Sequence, residues 1–124
     1  MIKYEVEVYA NGDKHWYLNG KRHREDGPAI ECANGTKHWF LNDQHHREDG
    51  PAIELASGTK SWYLNGKRHR EDGPAIECAD GDKWWYLNDK EISKQEFLSR
   101  SIKEMTLSQI IEKLGYDIKI VKES

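Results

Sequence analysis

No stretch of this sequence approaches the roughly 18 consecutive apolar residues needed to cross a bilayer as a helix, so membrane insertion is not expected. The opening Met1-Ile2-Lys3-Tyr4-Glu5 carries no signal-peptide apolar region, which makes a cytoplasmic location the expectation. An excess of one charge is missing too: 19 Lys and Arg stand against 22 Asp and Glu, a net charge of −3. Nothing global therefore draws the chain to nucleic acid or to an anionic surface. Two cysteines, Cys32 and Cys78, without CxxC spacing, set aside a disulfide framework. Both fall at one repeat position, where the intervening unit has Leu55, so that position is expected to be a buried apolar site. The phosphate-binding, zinc-protease, nucleophile-elbow and dinucleotide patterns (GxxxxGK[ST], HExxH, GxSxG, GxGxxG) are absent, and neither an enzyme nor a cofactor is expected.

Apolar residues are also scarce, at 36% against 33% charged, a balance that usually signals disorder. Five Trp and six Tyr argue for a folded chain whose modest core leans on large rings.

What is present is a repeat. His23-Arg24-Glu25-Asp26-Gly27-Pro28-Ala29-Ile30-Glu31 recurs letter for letter at 46–54 and 69–77, a period of 23. Periods of this length mean stacked supersecondary units. Two turn pairs recur in each unit. The first is Asn11-Gly12, Asn34-Gly35, Ser57-Gly58 and Asp80-Gly81, and the second is Asn19-Gly20, Asn42-Asp43, Asn65-Gly66 and Asn88-Asp89. Asn-Gly between β-prone runs is the signature of a type I′ hairpin, which needs two residues tolerant of positive φ. The expected fold is mainly β: an antiparallel meander of 23-residue hairpin repeats with a C-terminal helix-helix-strand cap. Residues 1–92 form the array (an N-terminal cap strand, three full units and a truncated fourth), and 93–124 the cap packed on it.

Strand alternation assigns faces. Trp16, Trp39, Trp62 and Trp85 share one with Leu18, Leu41, Leu64 and Leu87, and as the invariant set they are taken as the packed repeat core. The opposite face varies: His15, His38, Ser61 and Trp84, accompanied by Tyr17, Phe40, Tyr63 and Tyr86. It is expected to be the more exposed, unless the C-terminal helices lie across it. In the first strand Glu7 falls where Ile30 does, with a bulge before Tyr9. At the other end Ser93-Lys94-Gln95-Glu96 reads as a capping box ahead of Leu98, Ile102 and Met105. A second box opens at Thr106, with Leu107, Ile110, Ile111 and Leu114 along one face and Gly115 as the stop, before a strand over 116–121.

The period, the paired turns, the aromatic strands and the Asn-Gly-Lys-Arg-His element (residues 19–23 and 65–69) resemble the MORN repeat family. The likeness extends to the phage and bacterial tandem-repeat proteins that carry His-Arg-Glu-Asp-Gly-Pro-Ala motifs. It covers about residues 11–88. The chain departs from MORN where the Gly-x-Gly after the histidine becomes Arg-Glu-Asp-Gly, so membrane-binding roles are not carried over. The resemblance implies a hairpin array used as a binding or assembly surface, with a role in host takeover or evasion of host defence, in the host cytoplasm if phage-encoded.

Histidine with carboxylates invites a metal or acid/base reading. Equivalent residues two strands apart are separated by roughly 10 Å, too far to share one ion. The structural reading is preferred: Asp26, Asp49 and Asp72 set a turn, and Arg and Glu form a ladder of charge pairs between units. His45-His46, adjacent on a strand, carries little signal. Candidate binding residues are His15, Tyr17, His38, Phe40, Tyr63, Trp84 and Tyr86, with Arg22, Arg24, Arg47, Arg68 and Arg70. The leading expectation is a non-enzymatic binder of another protein, a host or defence component, with a homo-oligomer allowed. The alternative is a sponge for a signalling nucleotide or other small molecule, using rings and Arg side chains. Nucleic acid is disfavoured because each basic cluster runs straight into Glu-Asp.

Overall fold

At the second turn of every unit both central residues adopt positive φ: Asn19 (53°) and Gly20 (78°), Asn42 (49°) and Asp43 (66°), Asn65 (51°) and Gly66 (79°), Asn88 (48°) and Asp89 (69°). This is the type I′ hairpin the dipeptides predict. The first turn is different. Only its glycine enters the left-handed region (Gly12, 96°), while the Gly12 N–H donates to Tyr9 O and the Tyr9 N–H to Asp13 O, both at 2.9 Å. That is a type I turn closed by a glycine bulge, repeated at Cys32–Gly35, Leu55–Gly58 and Cys78–Gly81. The expected type I′ assignment fails here because the chain keeps one more residue in the loop.

The computed structural model describes residues 3–103 and Glu112. The chain divides into two compact units, Met1–Ile92 and Ser93–Ser124. The first holds strands β1 (Glu5–Val8), β2 (Lys14–Leu18), β3 (Lys21–Arg22), β4 (Ile30–Glu31), β5 (Lys37–His38), β6 (Phe40–Leu41) and β7 (Gln44–His45). It continues with β8 (Ile53–Glu54), β9 (Lys60–Ser61), β10 (Tyr63–Leu64), β11 (Lys67–Arg68), β12 (Ile76–Glu77), β13 (Lys83–Leu87) and β14 (Lys90–Ile92).

All pairing among these strands is antiparallel. The main sheet runs β1-β2-β4-β5-β8-β9-β12-β13-β14 with β3 on β2, and β6-β7 and β10-β11 form separate two-stranded ladders. The fold is thus an antiparallel meander, two strands of the main sheet per unit. Glu7 opposes His15, as Ile30 does, so the cap strand enters at the predicted register.

Two rows of the sheet explain its composition. Lys14, Glu31, Lys37, Glu54, Lys60, Glu77 and Lys83 are successive cross-strand partners, an alternation of opposite charges. Beside it His15, Ile30, His38, Ile53, Ser61, Ile76 and Trp84 form the next row, on the other face.

Burial corrects the expected core. The fully buried positions of the repeat are Ala29, Ala52 and Ala75, each 0% exposed, and among its Trp, Tyr and Phe rings the most buried is Phe40 at 7%, on the variable face. The four repeated tryptophans and Leu18, Leu41, Leu64 and Leu87 are only half-buried. The small alanine takes the enclosed place and the indole does not. The Cys/Leu position is not a buried apolar site either: Leu55 is 40% exposed and Cys32 and Cys78 are half-buried free thiols. It is the first residue of the bulged turn, at the rim of the sheet.

In the second unit, helix α1 spans Lys94–Lys103. Its first turn is capped as the sequence predicts: the Glu96 N–H donates to Ser93 Oγ at 3.0 Å. The second predicted helix and the final strand lie outside the described residues.

Candidate functional site

The recurring motif is a clamp built around its arginine. Arg47 places Cζ 3.9 Å from the ring centroid of Trp39, eight residues earlier in the chain. From there Nε donates to Asp49 Oδ1 (3.0 Å) and Nη1 to Pro51 O (3.1 Å), while Glu54 Oε1 lies 3.7 Å from Nη1. Arg24 repeats this with Trp16 (4.0 Å), Asp26 (3.0 Å), Pro28 O (3.2 Å) and Glu31 (3.3 Å). Arg70 does so with Trp62 (3.8 Å), Asp72 (2.8 Å), Pro74 O (3.1 Å) and Glu77 (3.2 Å). The expected Arg–Glu pairs form, each joining the loop of one unit to the first strand of the next, but they close inside one copy of the motif and do not run on as a continuous ladder. The guanidinium folds back over its own unit's indole, which brings the loop carboxylates and the next strand's Glu to it.

This packing also explains the motif's glycine. A Cβ on Gly27, Gly50 or Gly73 would meet the clamp arginine's Cζ at 3.1, 3.0 or 2.9 Å. None of the three has positive φ, so the requirement is steric rather than conformational.

Residues 22, 23 and 24 stitch each unit to the next. Asp43 N–H donates to Arg22 O (2.9 Å), Asn42 N–H to His23 Nδ1 (3.0 Å) and Arg24 N–H to Phe40 O (3.1 Å). The bonds recur from Gly66, Asn65 and Arg47, at 2.9, 2.9 and 3.1 Å, and from Asp89, Asn88 and Arg70, at 2.9, 2.9 and 3.3 Å. Because a backbone N–H donates to it, Nδ1 of each histidine is the bare nitrogen. The proton on Nε2 then faces Glu25 (3.5 Å), Glu48 (3.6 Å) or Glu71 (3.4 Å). The histidines are structural acceptors. Among the described residues no group of three or more His, Cys, Asp and Glu is placed to hold a metal ion.

Between successive motif loops the surface opens into like grooves. One, of about 750 Å³, is floored by Trp39 and Leu41 and walled by the loops 24–27 and 46–49. The next, of about 650 Å³, has Trp62 and Leu64 below loops 47–50 and 69–72. Their rims are acidic and wet. Glu48 and Asp49 are 83% and 87% exposed, and Glu71 and Asp72 are 83% and 85%.

The opposite, variable face is a run of rings in mutual contact, some stacked and others tilted or edge-on. Its centre is His45, whose ring lies 4.1 Å from Phe40, 5.1 Å from Tyr63 and 5.4 Å from His38, and whose Nε2 shares a 3.2 Å hydrogen bond with His38 Nδ1. Burial holds His45 down to about 4, helped by the neighbouring His38 and Arg22 charges, and lowers His38 as well. His15 stacks on Tyr17 (6.4 Å) and meets Tyr9 edge-on (4.9 Å). Trp84 and Tyr9, each at 44%, are exposed.

His45 was given little weight in the sequence beside His46, although its repeat position marks it out. It stands where the neighbouring units have Arg22 and Arg68, each of which covers a ring of the next unit: Phe40 at 5.6 Å and Tyr86 at 4.2 Å. Arg68 also gives Nε to Asp89 (2.7 Å), a bond that holds the Asp89 carboxyl below its usual range. The predicted binding residues thus fall into two separate sets. Arg24, Arg47 and Arg70 belong to the clamps on the tryptophan face, and the rings with Arg22 and Arg68 belong to the other.

Among the described residues no helix is long and apolar enough to cross a membrane. Comparison with protein-family models, with curated proteins and with solved structures returned no match.

Proposed function

We propose that this chain is a non-enzymatic binding protein whose repeat sheet engages another protein. The observation that carries the reading is the pair of grooves with equivalent linings, Trp39 and Leu41 in one and Trp62 and Leu64 in the next. A surface that presents the same half-buried indole and leucine at each step suits an extended partner, since apolar centres ringed by polar groups are where binding energy concentrates. The motif's resemblance to phage-type tandem repeats favours a host or defence component of the cytoplasm as the proposed partner, with inhibition as the proposed outcome.

The nucleotide-sponge reading has less support. Phosphate capture needs arginines with free forks, and the clamp arginines spend Nε and Nη1 on Asp, Pro and Glu within their own motif. Arg68 is likewise engaged by Asp89.

Pull-down from bacterial lysate with the intact chain and with the double variant Leu41→Arg/Leu64→Arg tests the proposal. A stoichiometric protein retained by the intact chain and lost by the variant supports it. Recovery of no protein, or of one indifferent to the substitutions, overturns it.

A further inference from the structure

The grooves share a rim charge and recur at a regular pitch. Their floors are apolar and aromatic, and their rims carry Glu25 and Asp26, Glu48 and Asp49, and Glu71 and Asp72, all more than half exposed. The positive charge in the walls is sequestered: Arg24, Arg47 and Arg70 are only 22%, 23% and 20% exposed and are turned onto the indoles. What a ligand meets at the mouth is carboxylate, so the complementary group is a cation. Lys and Arg stems would lie on Trp39 and Leu41 while their heads reach the rim.

The spacing restricts the ligand's backbone. Each unit contributes two strands of the main sheet, so adjacent grooves are offset by about 10 Å, two interstrand spacings of about 4.8 Å. An extended β-strand presents same-side residues about 6.8 Å apart, or about 13.6 Å at the next step, and fits neither way. A polyproline-II helix has three residues per turn and rises about 3.1 Å per residue, which returns a side chain to the same face every ~9.3 Å. Its proline rings also suit aromatic-floored grooves.

We infer that the partner segment is a polyproline-II stretch bearing Arg or Lys at every third position, whose successive cations enter successive grooves. This rests on the protein-binding reading above and specifies its partner.

Calorimetric titration with an acetylated peptide of three Arg-Pro-Pro repeats tests it, against peptides of three Glu-Pro-Pro and three Arg-Gly-Gly repeats. The Arg-Pro-Pro peptide is expected to bind at least about tenfold tighter than either, because the first control reverses the charge and the second keeps it without the preformed helix. The triple variant Glu25→Gln/Glu48→Gln/Glu71→Gln should weaken it about tenfold or more, as should raised salt on the unaltered chain. No binding of the Arg-Pro-Pro peptide, equal binding of either control, or indifference to both the variant and salt overturns the inference. Should the peptide fail while the lysate protein is still retained by the intact chain and lost by Leu41→Arg/Leu64→Arg, the protein-binding reading stands and only the partner's chemistry is wrong. Failure of both removes the reading as well.

Discussion

Gly50 and Arg47 are packed directly against each other. A methyl group at Gly50 would sit 3.0 Å from Arg47 Cζ, although the glycine's own φ is one any residue could adopt. The glycine of the motif exists to let the arginine lie flat, and the arginine lies flat because Trp39 is beneath it at 3.9 Å.

That relationship makes a double-mutant cycle informative. Gly50→Ala should destabilise the chain by about 1–2 kcal/mol by displacing the guanidinium, and Arg47→Ala by about 2–3 kcal/mol through loss of stacking and charge-assisted hydrogen bonds. In the Arg47→Ala background the cost of Gly50→Ala should nearly vanish, a coupling of about 1 kcal/mol or more in urea unfolding. Additive costs would mean the glycine answers to something else.

His46 accepts the Asn65 amide at 2.9 Å, across the joint between two units. His46→Ala removes that acceptor at an exposed residue that water can reach, and should cost about 0.5–1.5 kcal/mol. Hydrogen exchange localises the effect: the Asn65 amide should lose protection beyond the global change. Unaltered protection would assign the joint to the neighbouring backbone bonds alone.

The second joint departs from its neighbours as a pair. Where the flanking joints have Arg22 with Asp43 and Arg68 with Asp89, this one has His45 and Gly66. His45→Arg alone should destabilise, because it takes the hydrogen-bonded ring from His38 and Tyr63. Adding Gly66→Asp should recover about 0.5–1 kcal/mol, since Asp43 and Asp89 already adopt the required positive φ at 66° and 69°. Thermal unfolding of the single and double variants decides it.

The same histidine makes stability depend on pH. Its folded value lies near 4 against an ordinary 6.5, through burial first and then the charges of His38 and Arg22. The unfolded chain therefore binds the proton more readily, and stability rises with pH between the two values. The contribution is fully present above about 6.5 and is lost as pH falls towards 4. His45→Gln should flatten that slope in denaturant midpoints measured across the window. An unchanged slope would place the titration on other groups.

Much of the fold was legible because it is local. Asn-Gly and Asn-Asp encode the type I′ turns through two positive φ values, and Ser93 encodes its cap through a hydroxyl three residues ahead of the Glu96 amide. The repeat itself sets the meander, since each hairpin can satisfy its edges only against a neighbouring copy. The first turns were misread because Asn-Gly serves both type I′ and the bulged type I loop, and only the loop's hydrogen bonds separate them.

What tertiary structure alone decided is where the invariant side chains go. Invariance of Trp39 suggested a buried core, yet its partner is a guanidinium and the enclosed place belongs to Ala52. The motif's Arg and Glu looked like a ladder between units and instead close with Asp, Gly and Pro into one clamp, since stacking on a ring eight residues away leaves no trace in local pattern. The grooves follow from the same cause. Alternation showed that Trp and Leu share a face, but only the folded loops, held apart by their clamps, turn that face into acid-rimmed channels repeated at the pitch of the sheet.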